Sequence, residues 1–83
     1  MELELCAASI EAIKLAKKYN LSRIELCQNL EQGGITPSPG LIEYALAYGV
    51  ETHVLIRHRP GGFRYNNDEV EIMLRDIREC KAI

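Results

Sequence analysis

Two acids and two thiols carry the first chemical signal in this chain. Glu2-Leu3-Glu4-Leu5-Cys6 opens the sequence, and Arg23-Ile24-Glu25-Leu26-Cys27 repeats its pattern 21 residues later. Each copy alternates charged and aliphatic residues and ends in cysteine, the pattern of a β-strand with two unlike faces. Leu3, Leu5, Ile24 and Leu26 fall on one face; Glu4, Cys6, Glu25 and Cys27 fall on the other. On neighbouring strands, about 4.8 Å apart, the two thiols stand at matching places and can share one ion. Thiolates suit a soft cation such as Cu(I). Loading would release protons and so depend on pH. Set against this, cysteine is often buried simply as a small hydrophobe. Cys80 lies on the last helix, apart from the pair.

A second group combines acids and arginines. If Glu4, Glu25, His53 and Arg57 share the inner face of a sheet, the carboxylates are expected to pair with the Arg57 guanidinium, because an unpaired buried charge is costly. Glu25 and Arg57, nearer the loop end, are then candidates for acid/base work or a substrate clamp, or for a network that only holds the strands in register. Arg57, Arg59 and Tyr65 surround a glycine-rich loop and are candidates to bind a phosphate or carboxylate. Gly33-Gly34-Ile35-Thr36-Pro37-Ser38 can present backbone N–H groups to an anion, or form an ordered turn with Thr36 or Ser38 capping the next helix. It matches neither a P-loop nor a dinucleotide fingerprint. His53 reads as a core or lumen residue, Met73 as core, and Tyr44 and Tyr48 as one packing face.

The elements that must position these residues follow from periodicity. Ser9 N-caps a helix to about residue 19, with Ile10 and Ile13 on its apolar face and Lys14, Lys17 and Lys18 towards its C-terminal end. A second strand spans about residues 22–27. Residues 28–40, with Gly33-Gly34, Pro37 and Pro39, form a loop. A helix over about 41–48 is closed by Gly49. A third strand covers about 52–57, and a loop centred on Pro60-Gly61-Gly62 covers 58–67. Asp68 caps a helix reaching about Lys81, with Val70, Met73, Leu74 and Ile77 on its apolar face. The order βαβαβα predicts an α/β fold of parallel strands with right-handed crossovers. Its site belongs at the loops after the strands, where both cysteines of the repeat fall.

Composition narrows the function classes. With 27% charged and 47% hydrophobic residues the chain reads as globular. A net charge of −2 gives no electrostatic case for nucleic acid or an anionic membrane. No apolar run approaches the roughly 20 residues of a membrane span, and the acidic start is unlike a signal peptide. A cytoplasmic protein is expected, with its three cysteines as thiols. Three strands are few for such a sheet. The 83 residues are expected to form the first part of a larger (β/α) domain, since an eight-stranded barrel takes about 200 residues or more.

The sequence resembles the CutC family, described as copper homeostasis proteins with a TIM-barrel fold. The resemblance rests on Leu3-Glu4-Leu5-Cys6 and Arg23-Ile24-Glu25-Leu26-Cys27. It continues through Gly33-Gly34-Ile35-Thr36-Pro37-Ser38 with Gly40, then Ile56-Arg57, Arg59, Phe63 and Tyr65, and the helix around Met73 and Ile77. It covers nearly the whole chain but only about the first three βα units of the barrel. Two departures stand out. Many members carry a double cysteine where this chain has Cys6-Ala7. Many carry an acid in the loop where this chain has Gly62.

The resemblance implies a cytosolic copper-homeostasis protein that binds Cu(I) through Cys27 and Cys6, with a copper ion as its partner. The alternative is a TIM-barrel enzyme acting on a small anionic ligand through Glu25, Arg57 and Arg59 at the C-terminal ends of the strands. A third reading is an assembly module, because open sheet edges favour association and a homo-oligomer.

Overall fold

The computed structural model describes residues 3–83; Glu2, the first acid of the opening repeat, lies outside them. Strand β1 is Glu4–Ala7, helix α1 Ile10–Lys18, strand β2 Arg23–Leu26, helix α2 Pro39–Ala47, strand β3 Thr52–Val54 and helix α3 Asn67–Ala82. A short 3₁₀ turn, Leu30–Gln32, interrupts the loop after β2. The three strands form one parallel sheet in the order β1-β2-β3. The alternating β/α order and the parallel sheet follow the sequence reading; the strands are shorter than expected, β3 ending at Val54.

The register differs from the repeat. Residues 21 apart do not face each other; Glu4 lies opposite Arg23, Leu5 opposite Ile24, Cys6 opposite Glu25 and Ala7 opposite Leu26. Charge favours this register. In the repeat's register Glu4 would face Glu25, and like charges directly across a ladder are destabilising. In the observed register the Arg23 Nε donates to Glu4 Oε2 at 2.7 Å. A slip of two residues leaves every side chain on its original face, so the pattern of aliphatic and polar faces survives.

One face of the sheet carries the core. Ala7, Ile24 and Leu26 are fully buried beneath Ile13 and Ala16 of α1 and Ile42 and Ala45 of α2, with Val50 at the edge. Both helices are capped as their sequences require. Ser9 Oγ accepts from the Ala12 amide at 3.2 Å, and Ser38 Oγ accepts from the Leu41 amide at 3.2 Å. Pro39 occupies the first turn of α2, where its missing N–H costs nothing. That helix therefore starts two residues earlier than periodicity suggests.

Helix α3 departs from expectation in two ways. Its N-cap is Asn66, not Asp68: Asn66 Oδ1 accepts from the Glu69 amide at 2.8 Å while Glu69 accepts from the Asn66 amide at 3.1 Å, a closed capping box. Its apolar face is also not buried. Val70, Leu74 and Ile77 are exposed, and Met73 is half-buried. Cys80 packs against the core instead. Beside α3, β3 is the last strand of the sheet, so among the described residues there is no further strand for that face to cover.

Candidate functional site

The opposite face of the sheet holds the chemistry. In the observed register Cys6 of β1, Glu25 of β2 and His53 of β3 form a row across the three strands. Cys27 follows on the same face, one pleat beyond Glu25, its amide donating to the Ala7 carbonyl at 3.0 Å. Cys6 and His53 are exposed and Glu25 is half-buried, whereas Cys27 is only 2% exposed. The two thiols are therefore not opposite one another, as the repeat suggested, but diagonal. One strand spacing and a two-residue rise put their Cα atoms about 8 Å apart.

That spacing decides what the pair can do. It exceeds the roughly 7 Å limit for a disulfide, and both cysteines are free. It leaves room for an ion held by two metal–sulfur bonds of about 2.3 Å each. Among the described residues no group of three or more His, Cys, Asp or Glu side chains comes together as a metal site. The donor set thus fits a soft, low-coordinate cation and does not fit a hard one that needs a cage of oxygens. Position 7, where the resemblance leads one to expect a second cysteine, is fully buried on the helix side of the sheet. A thiol there would face away from Cys27, so Ala7 removes nothing from this pair. Burial pushes the Cys27 thiol above its ordinary range, and the nearby Cys6 and Glu25 push in the same direction.

Cys27 owes its burial to the loop that follows it. Gln28 and Ile35 exchange two backbone hydrogen bonds, of 3.0 and 2.7 Å, which fold residues 28–35 back on themselves. The Gln28 side chain also accepts from the Ser38 amide. Gly34, at φ +89°, comes to rest on the thiol: a Cβ at this position would lie 3.3 Å from Cys27 Sγ and 3.0 Å from Leu55 Cδ2. Only glycine combines that backbone conformation with so close an approach.

The two arginines are placed differently from the expectation. Arg57 does not pair with Glu4 or Glu25. Its guanidinium lies among loop carbonyls, Nη1 donating to Gln32 O at 3.4 Å and Gly34 O at 3.2 Å, and Nη2 to Gly61 O at 2.8 Å. Phe63 stacks on it with the ring centre 4.8 Å from Cζ. Its buried Nε has no partner among the described residues. Three residues of extended chain beyond β3 carry Arg57 to the loops, out of reach of the acids. Thr36 anchors it there, its hydroxyl accepting from the Arg57 amide at 2.7 Å and donating to the Arg57 carbonyl at 3.1 Å.

Arg59 pairs through Nε with Glu69 and donates to the carbonyls of Gly62 at 3.0 Å and Arg64 at 2.8 Å, with Tyr65 stacked at 5.0 Å. It clamps residues 59–66 to the start of α3. The Arg59 guanidinium first, and the Asn66 amide second, hold the Glu69 carboxyl below the usual range. Glu69 was not among the residues singled out by type and spacing. Its signal was the Asn-x-x-Glu pattern of a capping box.

The comparisons with known proteins bear on this arrangement. The sequence pattern described as the CutC family matches residues 1–83. The chain belongs to the CutC family. A CutC family protein of Agrobacterium fabrum is 40% identical over 82 residues, covering 99% of this chain and 33% of the relative. One from Enterococcus faecalis is 45% identical over 84 residues, covering 96% and 40%. The crystal structure of CutC from Streptococcus agalactiae, provisionally named a copper homeostasis protein, superposes with a TM-score of 0.88 at 41% identity, covering 99% of this chain and 41% of that one. The chain thus spans a third to two fifths of the length of these CutC proteins. Among its described residues no helix is long and apolar enough to cross a membrane.

Proposed function

We propose that this chain contributes to cytosolic copper homeostasis, carrying Cu(I) as cargo between the thiolates of Cys27 and Cys6. One observation carries the reading: two free thiols share one face of adjacent parallel strands at a spacing too wide for a disulfide and suited to a bridging ion. Membership of the CutC family supports copper as that ion. In this reading the 83 residues form the first three βα units of a larger (β/α) barrel, whose interior is the face that holds Cys6, Glu25 and Cys27. The bound form requires both sulfurs to lose their protons. The raised thiol of Cys27 therefore makes loading weaker as pH falls.

An enzyme acting on a small anionic substrate is the second reading, and Glu25 favours it. Its carboxylate stands half-buried on the same face, between Cys6 and His53, in position to take a proton from a ligand bound there. The arginines contribute less, because their donors are directed at loop carbonyls and Glu69.

The deciding experiment is anaerobic Cu(I) titration against a competing chelator, with the wild-type chain, Cys6→Ser and Cys27→Ser. Stoichiometric binding lost in either variant is the expected result. Binding that ignores both substitutions, or fails to occur in the wild type, removes the copper site and moves the weight to the Glu25 reading.

A further inference from the structure

Arg57 and the two glycine loops are not used by the copper reading, yet their geometry bears on Cys27. We infer that Arg57 is a positioning residue: it fastens residues 28–36, which cover the Cys27 thiol, to residues 58–66, and a soft cation reaches that sulfur only when the fastening opens. The part concerning cation entry rests on the proposed function; the cover itself does not.

Three observations place the cover. The Gly34 backbone lies against Cys27, with the position of an added Cβ 3.3 Å from the sulfur. The carbonyl of that same Gly34 accepts from Arg57 Nη1. The other arm of the guanidinium donates to Gly61 O, and Phe63 stacks on its face. A single planar group therefore holds one loop by Nη1, the other by Nη2, and is backed by a ring from the second loop. This division of labour needs the fork of an arginine, which a lysine ammonium lacks. Gly33 fits the same purpose, since a Cβ there would stand 2.7 Å from Arg57 Nη1 and displace it.

The fastening is built to release. Its acceptors are backbone carbonyls of loops, not a carboxylate, so no ion pair has to be broken. Phe63 is 78% exposed, so one face of the stack is open to solvent. The orphaned Nε of Arg57 gains a hydrogen bond to water only when the group swings out, which offsets part of what opening loses.

Copper-free thiol labelling tests the cover. The full chain is treated with N-ethylmaleimide, and the rates at Cys27 and Cys80 are read separately by peptide mass spectrometry. Cys80, half-buried on α3 and packed against the core, reports loosening of that packing elsewhere in the fold. We expect Cys27 to label slowly in the wild type, about tenfold faster in Arg57→Ala and about threefold faster in Phe63→Ala, with Cys80 unchanged. A merely structural role for Arg57 would raise both cysteines together. Should Arg57→Ala unfold the chain in that way, Phe63→Ala decides, because its exposed ring supports little else: acceleration at Cys27 alone sustains the cover, and an unchanged rate overturns it. A Cys27 rate in Arg57→Ala within about twofold of wild type, with Cys80 steady, also overturns it. Cu(I) titration of the wild type is run beside these assays. Absence of copper binding would end the copper reading while leaving the labelling result intact.

Discussion

Gly34→Ala is the sharpest perturbation of the loop over Cys27, and its cost can be worked from two sources. The first is the backbone. At φ +89° a side chain sits in the region that L-residues avoid, at roughly 1–2 kcal/mol. The second is space. The new Cβ would meet Leu55 Cδ2 at 3.0 Å and the Cys27 Cβ and Sγ at 3.3 Å. Crowding of a packed site costs about 1–3 kcal/mol. Reduced freedom of the unfolded chain returns about 0.4–1 kcal/mol. The net loss is then about 1–5 kcal/mol, a large share of the roughly 5–15 kcal/mol that holds most domains folded.

Urea unfolding of the full chain measures the loss as a lower midpoint at unchanged slope. Gly62→Ala is the matched control. It has no positive φ and no atom within 4 Å of the added Cβ, so it should stay within about 0.5 kcal/mol of wild type. A double change, Gly34→Ala with Cys27→Ala, removes the sulfur from the crowded contact. It should cost less than the sum of the single changes, by about 0.5 kcal/mol or more. Equal stabilities for Gly34→Ala and Gly62→Ala would refute the packing of this loop on Cys27.

Two pH experiments follow from the charges around the site. Burial, with Cys6 and Glu25 adding to it, raises the Cys27 thiol in the folded chain. The folded state therefore favours the protonated thiol: this contribution is fully present below the unfolded thiol's pKa and is lost as pH rises through the folded one. Alkylation of Cys27 should accelerate only above the ordinary thiol range, and Glu25→Gln should move that rise to lower pH; an unmoved profile would remove Glu25 from the surroundings of the sulfur. Glu69 behaves in the opposite sense. Arg59 lowers its folded-state pKa, so its contribution is present above the unfolded carboxyl's pKa and disappears as pH falls through the folded value. Glu69→Gln should therefore lower the thermal midpoint at neutral pH and converge with wild type in acid; a constant difference at all pH values would contradict the Arg59 pairing.

The sequence by itself determined the order of elements and the two faces of the sheet. Alternation in Glu4-Leu5-Cys6 and Ile24-Glu25-Leu26 is a property of neighbouring residues, and a two-residue slip cannot disturb it. The helix caps at Ser9 and Ser38 are local in the same sense. Family membership was legible too, because the motifs that carry it lie along the chain.

Tertiary structure decided whatever depends on residues far apart in sequence. The ladder set Cys6 against Glu25 and Glu4 against Arg23, and so placed the thiols on a diagonal. The Gly33-Gly34 motif announced a turn but not its resting place on Cys27, which depends on the return of residues 28–36 over the sheet. Arg57 looked like a partner for acids and became a fastening between loops. The reason is physical: a guanidinium takes whichever acceptors the fold brings within reach, and here the nearest were carbonyls that only the folded loops bring together.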